Sequence, residues 1–145
     1  MEEGDLVERL RAWARGRYWE LVGIETVAAE PGRVVNRVRL REAHLNYNDV
    51  VHGGVISSLI DSVAGGAVRT LREESEIRQR PHATSDLHVS YLAPARGTEL
   101  VAEAKVVKMG RTAAFTQVEV RDDSGRVVAL GLVTFVIGGR REGSG

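Results

Sequence analysis

The feature that most constrains the fold is a single long helical segment among about six strand segments. Residues 53–70 carry apolar side chains at helical spacing. Six other segments are predicted strands separated by short turns, and they cover residues 24–29, 33–41, 83–92, 98–108, 112–121 and 126–137. Because one helix accompanies so many strands, it must pack against the sheet they form. The pattern therefore predicts an antiparallel α+β fold.

The rest of the chain is predicted to be peripheral to this core. Residues 5–16 form a short amphipathic helix, and residues 18–22 form a further helical turn. Residues 42–52 are a polar loop, residues 71–80 a charged and mobile connection, and residues 138–145 a frayed tail. We find no internal repeat and no linker, so residues 1–145 are predicted to be one domain.

Composition excludes several classes of function. Lys+Arg and Asp+Glu both number 20, so no basic excess favours nucleic acid or an anionic membrane surface. The chain has no cysteine, which excludes disulfides, thiolate nucleophiles and zinc–thiolate sites. With no signal-like start and no apolar run of about 20 residues, the cytoplasm is the expected compartment. No metal is expected, because ligand-like spacing is absent from His44, His52, His82 and His88.

The segment from Asn46 to Asp61 carries the chemistry. His52-Gly53-Gly54 stands where the long helix begins, so backbone N–H groups at the positive end of the helix are available to a developing oxyanion. Asp61 follows Gly53 by two helical turns and supplies a carboxylate that can attack or activate water. Taken singly, a histidine here is more often a cap and an asparagine a turn residue. The combination indicates hydrolysis of an activated acyl group.

The two faces of the helix differ in composition. One arc is apolar and forms the predicted core stripe, made of Val55, Ile56, Leu59, Ile60, Val63 and Ala67. The opposite arc holds Ser57, Ser58, Asp61, Ser62, Gly65 and Arg69. This arc reads either as an ordinary solvated face or as a surface that another subunit approaches. Small residues are poor choices for a solvated helix face, so we expect a subunit interface with Asp61 partly buried in it.

At these residues the chain resembles the hotdog-fold acyl-CoA thioesterases, in particular the phenylacetate-degradation (PaaI-like) type related to 4-hydroxybenzoyl-CoA thioesterases. The signature is Asn46-x5-His52-Gly53-Gly54-x6-Asp61. The likeness continues through 86–95, 108–112 and 114–120, and it extends over about residues 18–137. The resemblance implies a long central helix wrapped by an antiparallel sheet of five to six strands. It also implies homodimers with a continuous sheet, which usually pair into homotetramers.

The resemblance also implies roles for individual residues. Asp61 would be the general base or nucleophile, and the Gly53 N–H would polarise the thioester carbonyl. Asn46 would position water or the carbonyl, His52 would be supporting, and Thr84 would place a hydroxyl beside the attacking water. One departure is Asp49, which stands where related loops often carry glycine three residues after the asparagine. It leaves the turn geometry open.

The CoA part of the substrate needs groups at the mouth of the site. Cations are expected to hold its phosphates, and the candidates are Lys108, Arg111 and Arg69, with Gly110 in the turn between the first two. For each cation the alternative is an ordinary solvated charge. No cofactor is expected beyond the CoA that belongs to the substrate.

The spacing of Gly53 and Asp61 constrains how they act. They are eight residues apart, so on one helix they lie about 12 Å apart along the axis. Both cannot approach one thioester carbon within about 3–3.5 Å. If both act on one carbonyl, they must come from different subunits, and the dimer is the smallest active unit.

Two other functions fit the same fold. A non-catalytic acyl-CoA-binding or regulatory module would bind ligand without turnover, and Asp61 would then be structural. Hydration of an unsaturated acyl-CoA would need an Asp-x4-His arrangement, but Asp49 precedes His52 by only three residues. Keeping Asn46, Gly53 and Asp61 together favours hydrolysis over binding alone.

Overall fold

Four helices and six strands make up residues 3–139, which are the residues described by the computed structural model. The helices are α1 Glu3–Ala14, α2 Tyr18–Val22, α3 Gly53–Thr70 and α4 Glu74–Gln79. The strands are β1 Ile24–Glu30, β2 Arg33–Arg39, β3 His82–Tyr91, β4 Glu99–Met109, β5 Ala113–Arg121 and β6 Val127–Ile137. Every predicted element is present, with bounds that differ by no more than two residues.

All six strands belong to one antiparallel sheet in the order β1-β2-β4-β5-β6-β3. The long helix α3 lies against one face of this sheet and contacts every strand. This arrangement confirms the predicted antiparallel α+β fold. Strand β3 follows α3 and α4 in the chain and pairs with β6, so it forms one edge of the sheet.

Burial of α3 holds the fold together. The stripe predicted to be apolar is inaccessible to solvent at Leu59, Ile60, Val63 and Ala67, whereas Val55 is half-buried. Burying a Val, Leu or Ile side chain contributes about 1.5–3 kcal/mol, so this stripe outweighs any single polar contact. The sheet face beneath the helix includes several small residues, which let the helix approach closely; they are Ala102, Ala104, Ala114, Ala129 and Gly131.

The prediction of a mobile connection over residues 71–80 is wrong. This segment contains α4, and Ile77 from it is buried in the described structure. Arg72 is only 4% exposed, and its guanidinium donates to the carbonyl of Arg80 at 2.6 Å and contacts His82 Nδ1 at 2.8 Å. The charges that suggested a solvated segment are thus partners of other buried groups. The polar loop 42–52 also contains a 3-10 turn at Glu42–His44.

The frayed tail predicted for residues 138–145 lies mostly outside the described residues, since the structure describes only Gly138 and Gly139 of it. Among residues 3–139, no helix combines the length and the apolar character that crossing a membrane requires.

Close packing between α3 and β6 is testable at Gly131. A Cβ at this position would stand 2.5 Å from Ile60 Cγ2, which is closer than non-bonded carbon atoms approach each other in proteins. We expect Gly131→Ala to lower the free energy of unfolding by about 1–3 kcal/mol, because either the helix or the strand must shift. The measurement is the urea midpoint of unfolding.

Gly4→Ala is the matched control, because a Cβ at this α1 position meets nothing within 4 Å. It should leave stability unchanged or raise it by up to about 1 kcal/mol, since alanine is the better helix former. Equal losses in both variants would contradict the packing argument.

Candidate active site

Asp61 lies half-buried in the middle of α3 and is oriented by Thr84 from the edge strand β3. The Thr84 hydroxyl donates to Asp61 Oδ1 at 2.7 Å. Within the described residues this is the one hydrogen bond that the Asp61 side chain makes, so Oδ2 has no partner there. The structure therefore brings Thr84 to Asp61, so that one carboxylate oxygen is fixed by a hydroxyl and the other has no partner in residues 3–139. The predicted place of the Thr84 hydroxyl beside an attacking water stays a prediction.

A cleft of about 380 Å³ opens beside Asp61 and Thr84. Its walls are mostly apolar and aromatic, contributed by Trp13, Trp19, Ile77, Pro81, Ala83 and Phe135. Its polar lining includes Arg69 and His82. A carboxylate at the rim of an apolar cleft is the arrangement expected for chemistry on an acyl group, because apolar walls accept the acyl part and exclude water around it.

The small residues that follow Asp61 on α3 have an explanation within the chain. Ser62 and Gly65 are buried, and a Cβ at Gly65 would stand 3.6 Å from the Phe135 ring. The Ser62 hydroxyl donates to the carbonyl of Leu59 at 2.9 Å. Close approach at these positions is therefore made by β6 of the same chain. The predicted subunit interface across this face stays a prediction.

Arg69, a candidate for binding CoA phosphate, is engaged within the chain. It is 8% exposed, its Nη2 donates to both Glu74 oxygens at 3.1 and 2.9 Å, and its guanidinium carbon lies 4.5 Å from the centre of the Trp13 ring. Arg9 from α1 also bonds Glu74, at 2.6 Å. These contacts join α1, α3 and α4 beside the Asp61 cleft, which Arg69 and Trp13 line. Burial acts to raise the pKa of Glu74, but the hydrogen bond and charge of Arg9 and those of Arg69 lower it overall.

His82 sits between this cationic cluster and the cleft. Burial and the charges of Arg72 and Arg69 lower its pKa to about 4. Its Nδ1 lies 2.8 Å from Arg72 Nη1, and because a guanidinium can only donate, Nδ1 accepts. The ring is therefore neutral near pH 7. Sequence reasoning considered His82 only as a metal ligand, since nothing local shows that two arginines surround it.

The N-terminus of α3 presents one free backbone donor. His52 is the N-cap, and its Nδ1 accepts from the Gly54 N–H at 2.8 Å. The His52 carbonyl accepts from the N–H of Val55 at 2.9 Å. In the described structure the Gly53 N–H has no hydrogen-bond acceptor, so it is the donor left at the positive end of the helix. His52 thus satisfies the Gly54 N–H as the cap of the helix, and its predicted supporting role in the reaction stays a prediction.

The loop before the helix is organised by Asn46. Its Oδ1 accepts from the N–H of Asn48 at 2.9 Å and of Val50 at 3.3 Å. The turn also requires a left-handed residue, and Asp49 adopts it with φ 58°. Aspartate tolerates this conformation better than most residues, so the loop keeps a glycine-like turn without glycine. The amide nitrogen of Asn46 makes no hydrogen bond in residues 3–139 and is the part of the side chain left for a ligand.

Tyr91 at the end of β3 covers the first turn of α3. Its hydroxyl donates to the Gly53 carbonyl at 2.9 Å and lies 2.5 Å from Ser57 Oγ. A Cβ at Gly53 would stand 3.4 Å from three atoms of the Tyr91 side chain. From the sequence, Tyr91 was considered only as a determinant of pocket size, because a contact between a strand end and a helix start leaves no local pattern.

Lys108, Gly110 and Arg111 lie at the β4–β5 hairpin, where both cationic side chains are exposed. The Gly110 N–H closes the turn by donating to Ala113 at 2.8 Å. Cross-strand pairing runs from Met109 through Ala114 and Phe135 to Thr84, so this hairpin stands at the same end of the sheet as the Asp61–Thr84 pair. Both cations are thus free to meet a ligand that leaves the cleft at that end.

A larger cleft, about 560 Å³, lies between α1 and the β1–β2 edge. Four arginines line it, but Asp61, Thr84 and Gly53 do not. Size alone does not mark an active site, and the chemistry favours the smaller cleft.

Comparison with known proteins gives a consistent result. A sequence profile of the Thioesterase superfamily matches residues 48–129. Human acyl-coenzyme A thioesterase 13 is 31% identical over 137 residues, covering 92% of this chain and 94% of the human protein. The crystal structure of zebra fish thioesterase superfamily member 2 superposes with a TM-score of 0.79 at 27% identity, covering 95% of this chain and 99% of that one. The PaaI protein from the phenylacetic acid degradation operon of Escherichia coli gives a TM-score of 0.82 at 19% identity, covering 95% and 96%.

The depressed pKa of His82 makes a prediction about stability. In the folded chain this pKa is about 4, below the 6.5 of a free imidazole, so the unfolded chain takes up the proton first as the pH falls. The contribution of the neutral ring is fully present above about pH 6.5 and is lost as the pH falls toward 4. Allowing for the partly exposed ring, we expect a loss of about 1–2 kcal/mol.

His82→Gln should remove this pH-dependent part, so the difference in unfolding free energy from wild type should shrink between pH 7 and pH 4.5. His88→Gln, at an exposed site on the same strand, is the control for loss of an imidazole. Urea unfolding at four pH values measures both. Parallel profiles for the two variants would contradict the lowered pKa of His82 in the folded chain.

Proposed function

This chain belongs to the Thioesterase superfamily and has its hotdog fold, and we propose that it hydrolyses acyl-CoA thioesters to the free acid and CoA. The family and the fold expected from the signature are confirmed. The name of the human relative supports an acyl-CoA as substrate. The observation that carries the proposal is the Asp61 carboxylate at a largely apolar cleft, held by Thr84 at 2.7 Å with its second oxygen unpaired in residues 3–139.

In this proposal Asp61 Oδ2 acts on water. The carboxylate removes a proton as the water oxygen bonds to the thioester carbon, and the C–S bond then breaks to release the CoA thiolate, which takes up a proton. Alternatively Asp61 attacks the carbon itself, and the C–S bond breaks to release the CoA thiolate, which takes up a proton. Water then hydrolyses the resulting anhydride to the free acid and the Asp61 carboxylate. Thr84 serves both routes by fixing the orientation of the carboxylate. The Asn46 amide positions the water or the carbonyl.

The developing oxyanion would be stabilised by the Gly53 N–H. This donor is free because His52 satisfies the next N–H along, and it stands at the positive end of an 18-residue helix. The His52 carbonyl belongs to the same peptide unit as the Gly53 N–H and accepts a hydrogen bond from the Val55 N–H. This bond polarises the peptide unit and makes the Gly53 N–H a stronger donor.

Both groups serve one thioester only if the site is shared between two subunits. Along α3 they lie about 12 Å apart, whereas reacting atoms must approach within about 3–3.5 Å. The open edge of the sheet supplies a place for the second copy. Strand β3 pairs only with β6 within residues 3–139, and most of its side chains are exposed. We therefore propose a dimer in which β3 pairs with β3 of the second copy.

A tetramer would follow from the outer face of the sheet. This face exposes large apolar side chains, and single molecules rarely leave such a patch in water. The residues concerned are Val107, Phe115, Leu130, Leu132 and Val136, each between 40% and 60% exposed. Lys108 and Arg111 are proposed to hold the CoA phosphates, with the Gly110 turn between them. The Arg69 guanidinium already bonds Glu74 and packs on the Trp13 ring. Its proposed role is therefore to form part of the cleft wall.

The first test is thiol release from a panel of CoA esters with aryl, short, medium and long acyl groups. We expect turnover on at least one ester and a fall in kcat of about 10²–10⁴-fold in Asp61→Asn, because the amide cannot accept a proton or attack. Asp5→Asn, at an exposed carboxylate on α1 and away from β3, should stay within about twofold of wild type. Tight ester binding with no turnover on any ester would replace hydrolysis by a binding function.

The shared site predicts complementation between two inactive variants. Gly53→Pro deletes the N–H while keeping the helix, because proline is favoured at the first position of a helix. His52 already has a φ of −58° and a ψ of 133°, which suit the residue that precedes a proline. Each variant alone should be inactive. A heterodimer of Gly53→Pro with Asp61→Asn keeps one intact site, so about half of wild-type activity should return.

The two variants would carry different affinity tags, so that heterodimers are purified through both. Circular dichroism of Gly53→Pro checks that the helix persists. A purified heterodimer with no activity would show that each site draws Gly53 and Asp61 from one subunit or does not use both.

A further inference from the structure

Tyr91 ties the end of the edge strand to the donor end of α3. Its hydroxyl donates to the Gly53 carbonyl at 2.9 Å, so the Ser57 hydroxyl, 2.5 Å away, must donate to Tyr91. Ser57 stands four residues after Gly53, one helical turn on. A chain of two side-chain hydrogen bonds therefore runs from Ser57 through Tyr91 to Gly53. The ring also packs within 3.4 Å of the place where a Cβ of Gly53 would stand.

This turn of helix needs such a support. Gly53 and Gly54 are adjacent glycines, which hold a backbone conformation less firmly than other residues. The first N–H groups of a helix also lack the intrahelical partners that restrain later turns. Without an outside contact the Gly53 peptide would fray. Transition-state stabilisation by an N–H depends on fixed direction, because a misplacement of about 1 Å costs about 10²-fold in rate.

We propose that Tyr91 is a positioning residue for the reaction, one that fixes the Gly53 N–H without touching the substrate. The inference rests on the proposed function of Gly53 as oxyanion donor. Its hydroxyl is turned onto the Gly53 carbonyl, so it is occupied and not directed to a ligand. Loss of the hydroxyl should therefore slow the chemical step and leave substrate binding nearly unchanged.

Strand β3 then fixes both halves of the site. Thr84 near its start holds Asp61, and Tyr91 at its end holds Gly53. Both contacts are hydrogen bonds from a hydroxyl on the strand to α3. The spacing between carboxylate and donor within one subunit is thus set by the same edge strand that is proposed to meet the second copy.

The chain provides a matched control in Tyr18. Its hydroxyl lies 2.8 Å from Ser58 Oγ, so it makes a tyrosine–serine hydrogen bond to the same helix, at the residue next to Ser57. It makes no hydrogen bond to Gly53 in the described structure. Tyr18→Phe removes one hydrogen bond and Tyr91→Phe removes two, and each lost bond should cost about 0.5–1.5 kcal/mol of stability.

The experiment compares kcat, KM and the unfolding midpoint for wild type, Tyr91→Phe, Tyr18→Phe and Ser57→Ala on the best ester of the panel. We expect kcat to fall about tenfold in Tyr91→Phe with KM within about twofold, because only donor alignment is lost. Tyr18→Phe should leave kcat within about twofold although it also loses a hydrogen bond to α3. Ser57→Ala should fall between them, since Tyr91 keeps its bond to Gly53.

Equal kcat values for Tyr91→Phe and Tyr18→Phe would overturn the positioning role while leaving the proposed function intact. A rise in KM at constant kcat for Tyr91→Phe would also overturn it, by placing the hydroxyl on the substrate. Wild-type protein that turns over no ester would refute the proposed function itself, and the positioning role would fall with it. The three failures are therefore distinguishable.

Discussion

The close contact between α3 and the small-residue face of the sheet is the constraint from which the site follows. Ile60 stands over Gly131, where even one extra carbon would not fit. Because its apolar stripe is packed against the sheet in this way, α3 cannot rotate about its axis. Its polar stripe must therefore face the cleft beside β3 and β6. Asp61 is therefore oriented by packing of the residues around it before Thr84 refines its position. The energy that holds the carboxylate in place comes mostly from apolar burial.

The opposite end of α3 is organised by charge. Arg9, Arg69 and Arg72 bring three cations to the helix end, and Glu74 contacts two of them. Arg9 also donates to the carbonyls of Arg69 and Arg72 at 3.2 and 2.8 Å, which satisfies groups that a helix end leaves unpaired. Burial of Arg69 and Arg72 carries a desolvation cost, and each Nε lacks a partner in the described structure. The cost is offset by the carbonyls, by Glu74 and by the neutral state of His82.

Local periodicity predicted nearly all of the helices and strands. It also predicted the start of α3 at His52 and Gly53 and the position of Asp61 on that helix, because these features depend on residues close in sequence. What it missed is non-local. The ordered α4 depends on contacts of Arg69 and Arg72 with groups from α1, α4 and β3, and the charge content alone suggested a mobile segment. Tyr91 contacts a residue 38 positions away, so its hydrogen bond has no sequence signature. The turn at Asp49 could not be decided from the residue type. The structure shows that Asp49 adopts a left-handed φ of 58° there.

The edge strand connects assembly to geometry. A strand with one unpaired edge and exposed side chains is a liability unless it meets another strand, and β3 has both features. The same strand carries Thr84 and Tyr91, whose hydroxyls hold Asp61 and Gly53. A second copy docking at β3 would therefore stiffen both contacts at the moment it completes the site. In an isolated subunit the two groups would be about 12 Å apart along α3 and supported by a strand free on one side. In the proposed dimer, pairing of two copies would both cover the open edge of β3 and bring Asp61 of one copy to Gly53 of the other.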